Sequence, residues 1–329
     1  MAKLHWGFLG TSFISEVMAN AISSEGRSDI IAVAGRNTQR LKNFADQFGV
    51  AQAYTDFDEL IANPQVDIIY IALPNHLHHE YVIKAAKAGK AILCEKSLTV
   101  DNKQTQAIAD VLAAHPVFFA EGLMYLNHPL IKEILAVLNS GTIGELKHIQ
   151  ASYSADIAQF VNPDSKGAIF NLGCYPASLA YRCAQLAKPD IDLAAFQLKA
   201  VGRAGNDGNV CETSATIIFR DELQVQLQCA EDYGLLSSFQ LMGTKGYLRM
   251  ETNPWLPTQH NQFSYGLYEQ EPILKTCSDD KDAFYYQVKN IIDALETNKM
   301  TLEQPAADLQ DSVNIMSWLT QWHDVAREM

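Results

Sequence analysis

No apolar run in this chain approaches the roughly 18 residues that a bilayer-spanning helix needs, so no transmembrane span is expected. Cysteine is sparse. The six present (Cys94, Cys174, Cys183, Cys211, Cys229, Cys277) form no C-x-x-C pair and no metal spacing. That excludes a disulfide framework and reads as reduced thiols of a cytoplasmic protein. Positive charge is short as well: 25 Lys and Arg face 38 Asp and Glu, and the net charge of −13 argues against nucleic acid and anionic membranes as partners. The opening Met1-Ala-Lys-Leu-His-Trp-Gly7 lacks the apolar stretch of a secretory signal. Internal repeats, low-complexity segments and flexible linkers are missing too. What is present is ordinary globular usage, 48% hydrophobic and 19% charged over 329 residues, a length that predicts two domains.

The first 122 residues alternate strand and helix patterns. Leu4 to Leu9 reads as a strand, Gly10-Thr-Ser-Phe-Ile-Ser15 as a turn, and Ile14, Met18, Ala21 and Ile22 as one helical face. A glycine turn between strand and helix aims backbone N–H groups at a pyrophosphate. The G-x-G-x-x-G match is degenerate: Ser12 and Ser15 take the second and third glycine positions, small enough for close approach and able to bond phosphate themselves. The next strand, Asp29 to Ala34, ends in Gly35-Arg36-Asn37 with no acid. An acid there would bond the 2′-hydroxyl of NAD and an Arg accommodates the 2′-phosphate of NADP, so NADP(H) is expected over NAD(H).

Thr38 to Phe48 and Asp56 to Ala62 predict helices, and Asp67 to Leu73 an apolar strand. A helix from His76 to Lys87 follows, with Asn75 as N-cap and Gly89 as stop. Ala91 to Cys94 is a buried strand that ends in Glu95-Lys96, two charges where an open parallel sheet lines its crevice. Asp101 caps the next helix with Gln104 at the capping-box position. Val117 to Ala120 is the last strand. The repeated unit predicts a doubly wound parallel sheet, a Rossmann-type α/β domain. His76, His78 and His79 lack a second ligand cluster, so no metal is expected.

From residue 123 the pattern changes to an α+β domain with a largely antiparallel, open-faced sheet. Pro129 to Asn139 reads as a helix. Leu193 to Ala200, Cys211 to Phe219 and Leu223 to Cys229 read as strands; the last has alternating apolar and glutamine faces. Gly243-Thr-Lys-Gly246 is a turn, and Ala283 to Leu295 and Asp308 to Val325 are amphipathic helices. Gly167 to Pro176 opens a further helix, with Asn171 and Tyr175 four apart on one face.

Taken together, these segments resemble the Gfo/Idh/MocA family of NAD(P)-dependent oxidoreductases. The carrying residues are Gly7-Phe-Leu-Gly10-Thr-Ser-Phe-Ile14, Pro74-Asn75 with His78, Gly89-Lys90 into Cys94-Glu95-Lys96, Glu121-Gly122 with Met124-Tyr125 and His128-Pro129, and Gly173-Cys-Tyr175. Tyr175, where other branches place a histidine, resembles the branch of dimeric dihydrodiol dehydrogenases, glucose–fructose oxidoreductase and sugar dehydrogenases. The resemblance implies Tyr175 as acid/base assisted by Lys96. It implies Gly10, Ser12, Phe13 and Ile14 at the pyrophosphate, Arg36 and Asn37 at the adenosine ribose or its phosphate, and Leu73, Pro74, Asn75, His78 and Glu95 along the nicotinamide half. A homodimer or higher homo-oligomer through the C-terminal sheet is implied, acting on a small hydroxy or carbonyl substrate. Three positions depart from the family pattern. Ser97 replaces a proline, Leu126 an arginine, and Asn171, which the resemblance places beside Tyr175 among the catalytic groups, an aspartate, which removes a carboxylate. The alternative is a non-catalytic NADP(H)-binding sensor or scaffold on the same fold.

Overall fold

A computed structural model of the chain describes residues 3–220 and 223–327. It divides into two compact units. One ends at Met124 and also takes in Phe284–Val313; the other is Tyr125–Ala283 with the chain from Asn314 onward. The sequence-based division into 1–122 and 123–329 is a single cut; the compact units need two returns of the chain.

The first unit runs β1 (Leu4–Leu9), α1 (Phe13–Glu25), β2 (Ser28–Ala34), α2 (Thr38–Phe48), β3 (Gln52–Tyr54), α3 (Phe57–Ile61), β4 (Ile68–Ile71), α4 (His78–Lys87), β5 (Ala91–Cys94), α5 (Asn102–Ala114) and β6 (Phe119–Glu121). Its strands are all parallel in the order β3-β2-β1-β4-β5-β6. The order reverses direction between β1 and β4, so the crevice opens at the carboxyl ends of those two strands. β4 and the last three residues of β5 are wholly buried, as expected of strands covered on both faces. Phe8 packs edge-on to Tyr70 at 4.8 Å. Helix α8 (Ala283–Glu296) supplies Val288, Ile291 and Ile292 to this same core. Arg27 fastens it, donating to Asp293 and Glu296 at 2.8 Å each.

Two local expectations change. Asn75 is not a helix cap: it opens a 3-10 turn (Asn75–Leu77) ahead of α4, and its buried Oδ1 has no hydrogen-bond partner. Asp101 does cap α5, accepting from the Gln104 N–H at 2.9 Å, but Gln104 Oε1 is buried and unpartnered, so the reciprocal half of the capping box is not made.

The second unit contains α6 (Pro129–Asn139), β7 (Leu146–Ala155), α7 (Cys174–Ala187), β8 (Gln197–Ala204), β9 (Val210–Phe219), β10 (Leu223–Ala230), β11 (Leu235–Gly243), β12 (Gly246–Met250), β13 (His260–Leu267) and β14 (Ile273–Ser278). Most of α9 (Leu309–Arg327) belongs here as well. The eight strands form one sheet, β14-β13-β12-β11-β7-β10-β9-β8. It is antiparallel except at its centre, where β10 pairs parallel with β7. A strand inserted between two later ones can pair antiparallel with only one of them when those two run in opposite directions. β8 begins at Gln197, four residues later than the apolar run at Leu193 suggests. In β10, Leu223, Val225, Leu227 and Cys229 face the core while Gln224 and Gln226 are exposed, as the alternation requires. Trp318 and Trp322 of α9 are fully buried, and their indole N–H groups reach the Leu193 carbonyl and Thr213 Oγ1 at 2.9 Å each.

The return of α8 to the first core is testable. Ile291→Ala should lower the urea-unfolding free energy by about 2–5 kcal/mol, the cost of an emptied core site. A loss under about 1 kcal/mol would show that α8 adds little to that core.

Candidate functional site

In the first unit the site residues collect at the carboxyl ends of the parallel strands. Gly10, just past β1, has φ +109°, and a Cβ there would stand 2.7 Å from the Ala72 carbonyl oxygen. Only glycine allows the β1 and β4 ends to approach this closely. Ser12 is the N-cap of α1, whose first N–H groups have no acceptor within the helix. Ser15 is used differently from expectation. It is buried, accepts the Ser12 N–H at 3.3 Å and donates to the Gly10 carbonyl at 3.0 Å, so its hydroxyl braces the turn. Ser12 is exposed, Phe13 is 78% exposed and Ile14 half-buried. The turn is therefore open where a pyrophosphate would lie and tied from beneath.

Arg36 is exposed two residues past the β2 end. Asn37 Oδ1 accepts the Arg40 N–H at 3.0 Å and caps α2, which commits one end of its amide to the helix. On the β4 side, Leu73 and Asn75 are buried and Pro74 half-buried. The residues fit a dinucleotide: an open helix N-terminus, a cradle that a Cβ would fill, and an orphaned acceptor at Asn75.

His78 does not line the crevice. It is fully buried, with Nδ1 2.9 Å from the Ser97 carbonyl and Nε2 2.7 Å from the Leu73 carbonyl. Burial pushes its pKa down to about 4, against the two carbonyls, which favour the imidazolium. The ring stands between the loop after β4 and the loop after β5; neutral, it has one N–H and donates to one of the two carbonyls, and only the imidazolium bonds both. Glu95 is buried too; Oε1 accepts from Tyr70 Oη at 2.7 Å and Oε2 from the Lys96 N–H at 3.3 Å. Burial raises its pKa. Lys96 is half-buried, and the Lys96–Ser97 peptide bond is cis.

In the second unit, Asn171 sits in a single π-helical turn (Ile169–Gly173) that runs into α7. Such turns recur at functional sites. Asn171 Nδ2 donates to Glu231 Oε2 at 2.7 Å. The carboxylate expected to be lost at position 171 is thus present one hydrogen bond away, supplied from just past β10. Burial, with Asp207 and Asp232 adding to it, raises the Glu231 pKa to about 7 although the Asn171 bond opposes the shift. Tyr175 is 7% exposed in an aromatic box. Its ring lies 5.4 Å from Tyr153, edge to face, and 5.7 Å from Tyr125. Tyr125 Oη donates to the Tyr175 carbonyl at 3.1 Å, and Trp255 meets Tyr125 edge-on at 5.7 Å. Leu126 is buried.

Glu121 and Glu231 do not stand out as site residues in the sequence. The signal was the one that marks Glu95: an acid closing an apolar strand. Among the described residues no group of three or more His, Cys, Asp or Glu could hold a metal, and no helix is long and apolar enough to cross a membrane.

Residues 4–123 match the oxidoreductase family described as the NAD-binding Rossmann fold of Gfo/Idh/MocA. Over 265 residues the chain is 33% identical to an uncharacterized oxidoreductase of Rhizobium meliloti, covering 78% of this chain and 77% of that one. It is 24% identical over 322 residues to the trans-1,2-dihydrobenzene-1,2-diol dehydrogenase of Homo sapiens, covering 94% and 92%. Among solved structures, a 3-ketoreductase from Actinomadura kijaniata in complex with NADP shares the fold, with a TM-score of 0.82, 24% identity and 96% coverage of both chains.

The Glu231 proton gives a stability signature. A folded pKa near 7 against an ordinary 4.5 means that the folded chain holds the proton more tightly. Stability from that proton is full below pH 4.5 and lost as pH rises through 7. Glu231→Gln, which keeps the shape without the titration, should therefore gain on the parent between about pH 5 and pH 8, on the order of 2 kcal/mol in urea unfolding. Parallel stability curves for the two proteins would show that folding leaves the Glu231 pKa unshifted.

Proposed function

We propose a reaction for this chain, which belongs to the Gfo/Idh/MocA oxidoreductase family: hydride exchange between NADP(H) and a secondary alcohol or ketone of a sugar, polyol or dihydrodiol. The chain is an oxidoreductase with an NAD-binding Rossmann fold. The carrying observation is the carboxyl edge of the parallel sheet, where the Gly10 cradle, the unpartnered Asn75 Oδ1 and Lys96 lie at the ends of β1, β4 and β5. In this reading Gly10, Ser12, Phe13 and Ile14 hold the pyrophosphate against the α1 N-terminus. Leu73, Pro74 and Asn75 line the nicotinamide half, with Asn75 Oδ1 accepting from it. His78 and Glu95 support that wall from behind. Arg36 faces the 2′-phosphate; its exposure at the β2 end, with no acid beside it in sequence, supports NADP(H).

The bound nicotinamide supplies or accepts the hydride. The chain's own part is the proton and the charge. Tyr175 donates its phenolic proton to a developing alkoxide, or takes the hydroxyl proton in the oxidative direction. A free tyrosine has a pKa of about 10, so it needs help near neutral pH. The Lys96 ammonium supplies that help by stabilising phenolate and alkoxide alike. Asn171, its amide fixed by Glu231, is the polar neighbour for a substrate hydroxyl. The relatives' diol and keto substrates support a carbon bearing oxygen as the reacting centre. A homo-oligomer through the open face of the eight-stranded sheet belongs to the same reading, supported by Val201 and Leu236, exposed on that face of β8 and β11. So does a cytoplasmic location, supported by the free cysteines.

Two measurements test this. Fluorescence titration should show tighter binding of NADPH than of NADH, and Arg36→Ala should weaken NADPH about tenfold or more while leaving NADH nearly unchanged. Equal affinities in the parent protein would remove the role given to Arg36. On a panel of ketoses, vicinal diketones and trans-dihydrodiols, Tyr175→Phe should cut turnover at least a hundredfold with NADPH affinity held within threefold. Retained turnover would take Tyr175 out of the mechanism.

A further inference from the structure

The loop that carries Lys96 is held by side chains from several elements of the first unit, and one of them has no part in the reaction above. Glu95 Oε2 accepts the Lys96 N–H, and the His78 ring meets the Ser97 carbonyl. The third hold comes from Glu121, the last residue of β6, whose backbone is in register with Cys94 of β5. Its Oε1 accepts the Leu98 N–H at 3.0 Å. Its Oε2 accepts from Ser312 Oγ of α9 at 2.6 Å, and its backbone carbonyl accepts from Gln287 of α8 at 3.4 Å. Glu121 is thus held from both C-terminal helical segments of its unit, its carboxylate by Ser312 and its backbone by Gln287, and the carboxylate passes that constraint to the residue two beyond Lys96.

The next residue must be small for this to work. A Cβ on Gly122 would stand 3.0 Å from Glu95 Cα and 3.1 Å from Glu95 Oε1. The β5 and β6 ends are therefore packed tightly enough for a side chain of one strand to satisfy the loop of the other. A buried carboxylate is costly to keep unless its oxygens are bonded. Here one oxygen satisfies a buried backbone N–H that would otherwise be orphaned. Burial lifts the Glu121 pKa to about 7, with Ser312 and the Leu98 N–H opposing it, Glu95 adding to it and Lys96 opposing it.

We propose that Glu121 is a positioning residue: through the Leu98 N–H it fixes the Lys96–Leu98 loop, and so sets where the Lys96 ammonium stands, without touching substrate or cofactor. Its importance for turnover rests on the reading of Lys96 given above; its hold on the loop does not.

The experiment compares Glu121→Leu, which removes the acceptor, with Glu121→Gln, which keeps an oxygen for Leu98. Hydrogen exchange of the Leu98 amide reads the clamp, and NADPH oxidation with the ketone panel reads the consequence. Glu121→Leu should speed Leu98 exchange at least tenfold and cut kcat at least tenfold, with KM for the ketone and Kd for NADPH within threefold. Glu121→Gln should restore exchange and kcat to within threefold of the parent. If Glu121→Leu does not fold, Glu121→Ser, too short to reach Leu98, carries the same expectations. Unchanged Leu98 exchange overturns the clamp, and so does a glutamine variant as impaired as the leucine one. Lys96→Ala is measured alongside. If it keeps full turnover, the reading of Lys96 fails, and the exchange result alone decides for or against Glu121.

Discussion

A parallel sheet covered on both faces has one outlet for polar chemistry, the carboxyl ends of its strands, and every polar group buried there must find a partner. That constraint organises the first unit. The β1 end is closed by Gly10 against Ala72, the β4 end by His78 reaching the Leu73 carbonyl, the β5 end by Glu95 on Tyr70, and the β6 end by Glu121 on Leu98. The loops at the crevice are therefore not free connections. The last three are fixed by a buried side chain behind them, and Asn75 Oδ1 is left buried without a partner.

Local pattern was enough to place most elements of this unit, because strand, glycine turn and amphipathic helix are short-range signals. Leu4–Leu9, Thr38–Phe48 and Ala91–Cys94 fall where local pattern puts them. Hydrogen-bond partners were less legible. Ser15 looked like a phosphate ligand because serine can be one, yet its hydroxyl is consumed by the Gly10 carbonyl. Asn75 looked like a cap because it precedes a helix, yet a 3-10 turn intervenes. A side chain's type restricts what it can bond; only the backbone path decides which partner it meets.

Long-range returns were invisible for a similar reason. Nothing in Ala283–Glu296 states that its apolar face joins the core that holds Phe8 and Tyr70, because an amphipathic helix shows only that it has a face to bury. The same holds for β7, whose neighbours are β10 and β11 and not the strands next to it in sequence. Glu121 depends on both kinds of return: its hydroxyl donor lies 191 residues away.

The second unit makes the point in chemical form. Read along the chain, Asn171 subtracts a charge from the neighbourhood of Tyr175. Read in space, Glu231 stands 2.7 Å from the Asn171 amide, and the pair has an arrangement that an aspartate at 171 would forbid. Two carboxylates at that distance cannot both ionise, so one would have to hold a proton. An amide facing a carboxylate needs no shared proton and fixes its own orientation, because only its nitrogen end can donate. Glu231 still carries the consequence of burial, a pKa near 7. The substitution at 171 is therefore better described as a carboxylate supplied from the end of β10 than as one deleted. What the fold keeps is the Asn171–Glu231 pair, one hydrogen-bonded unit, and neither residue's charge or orientation can be read without the other.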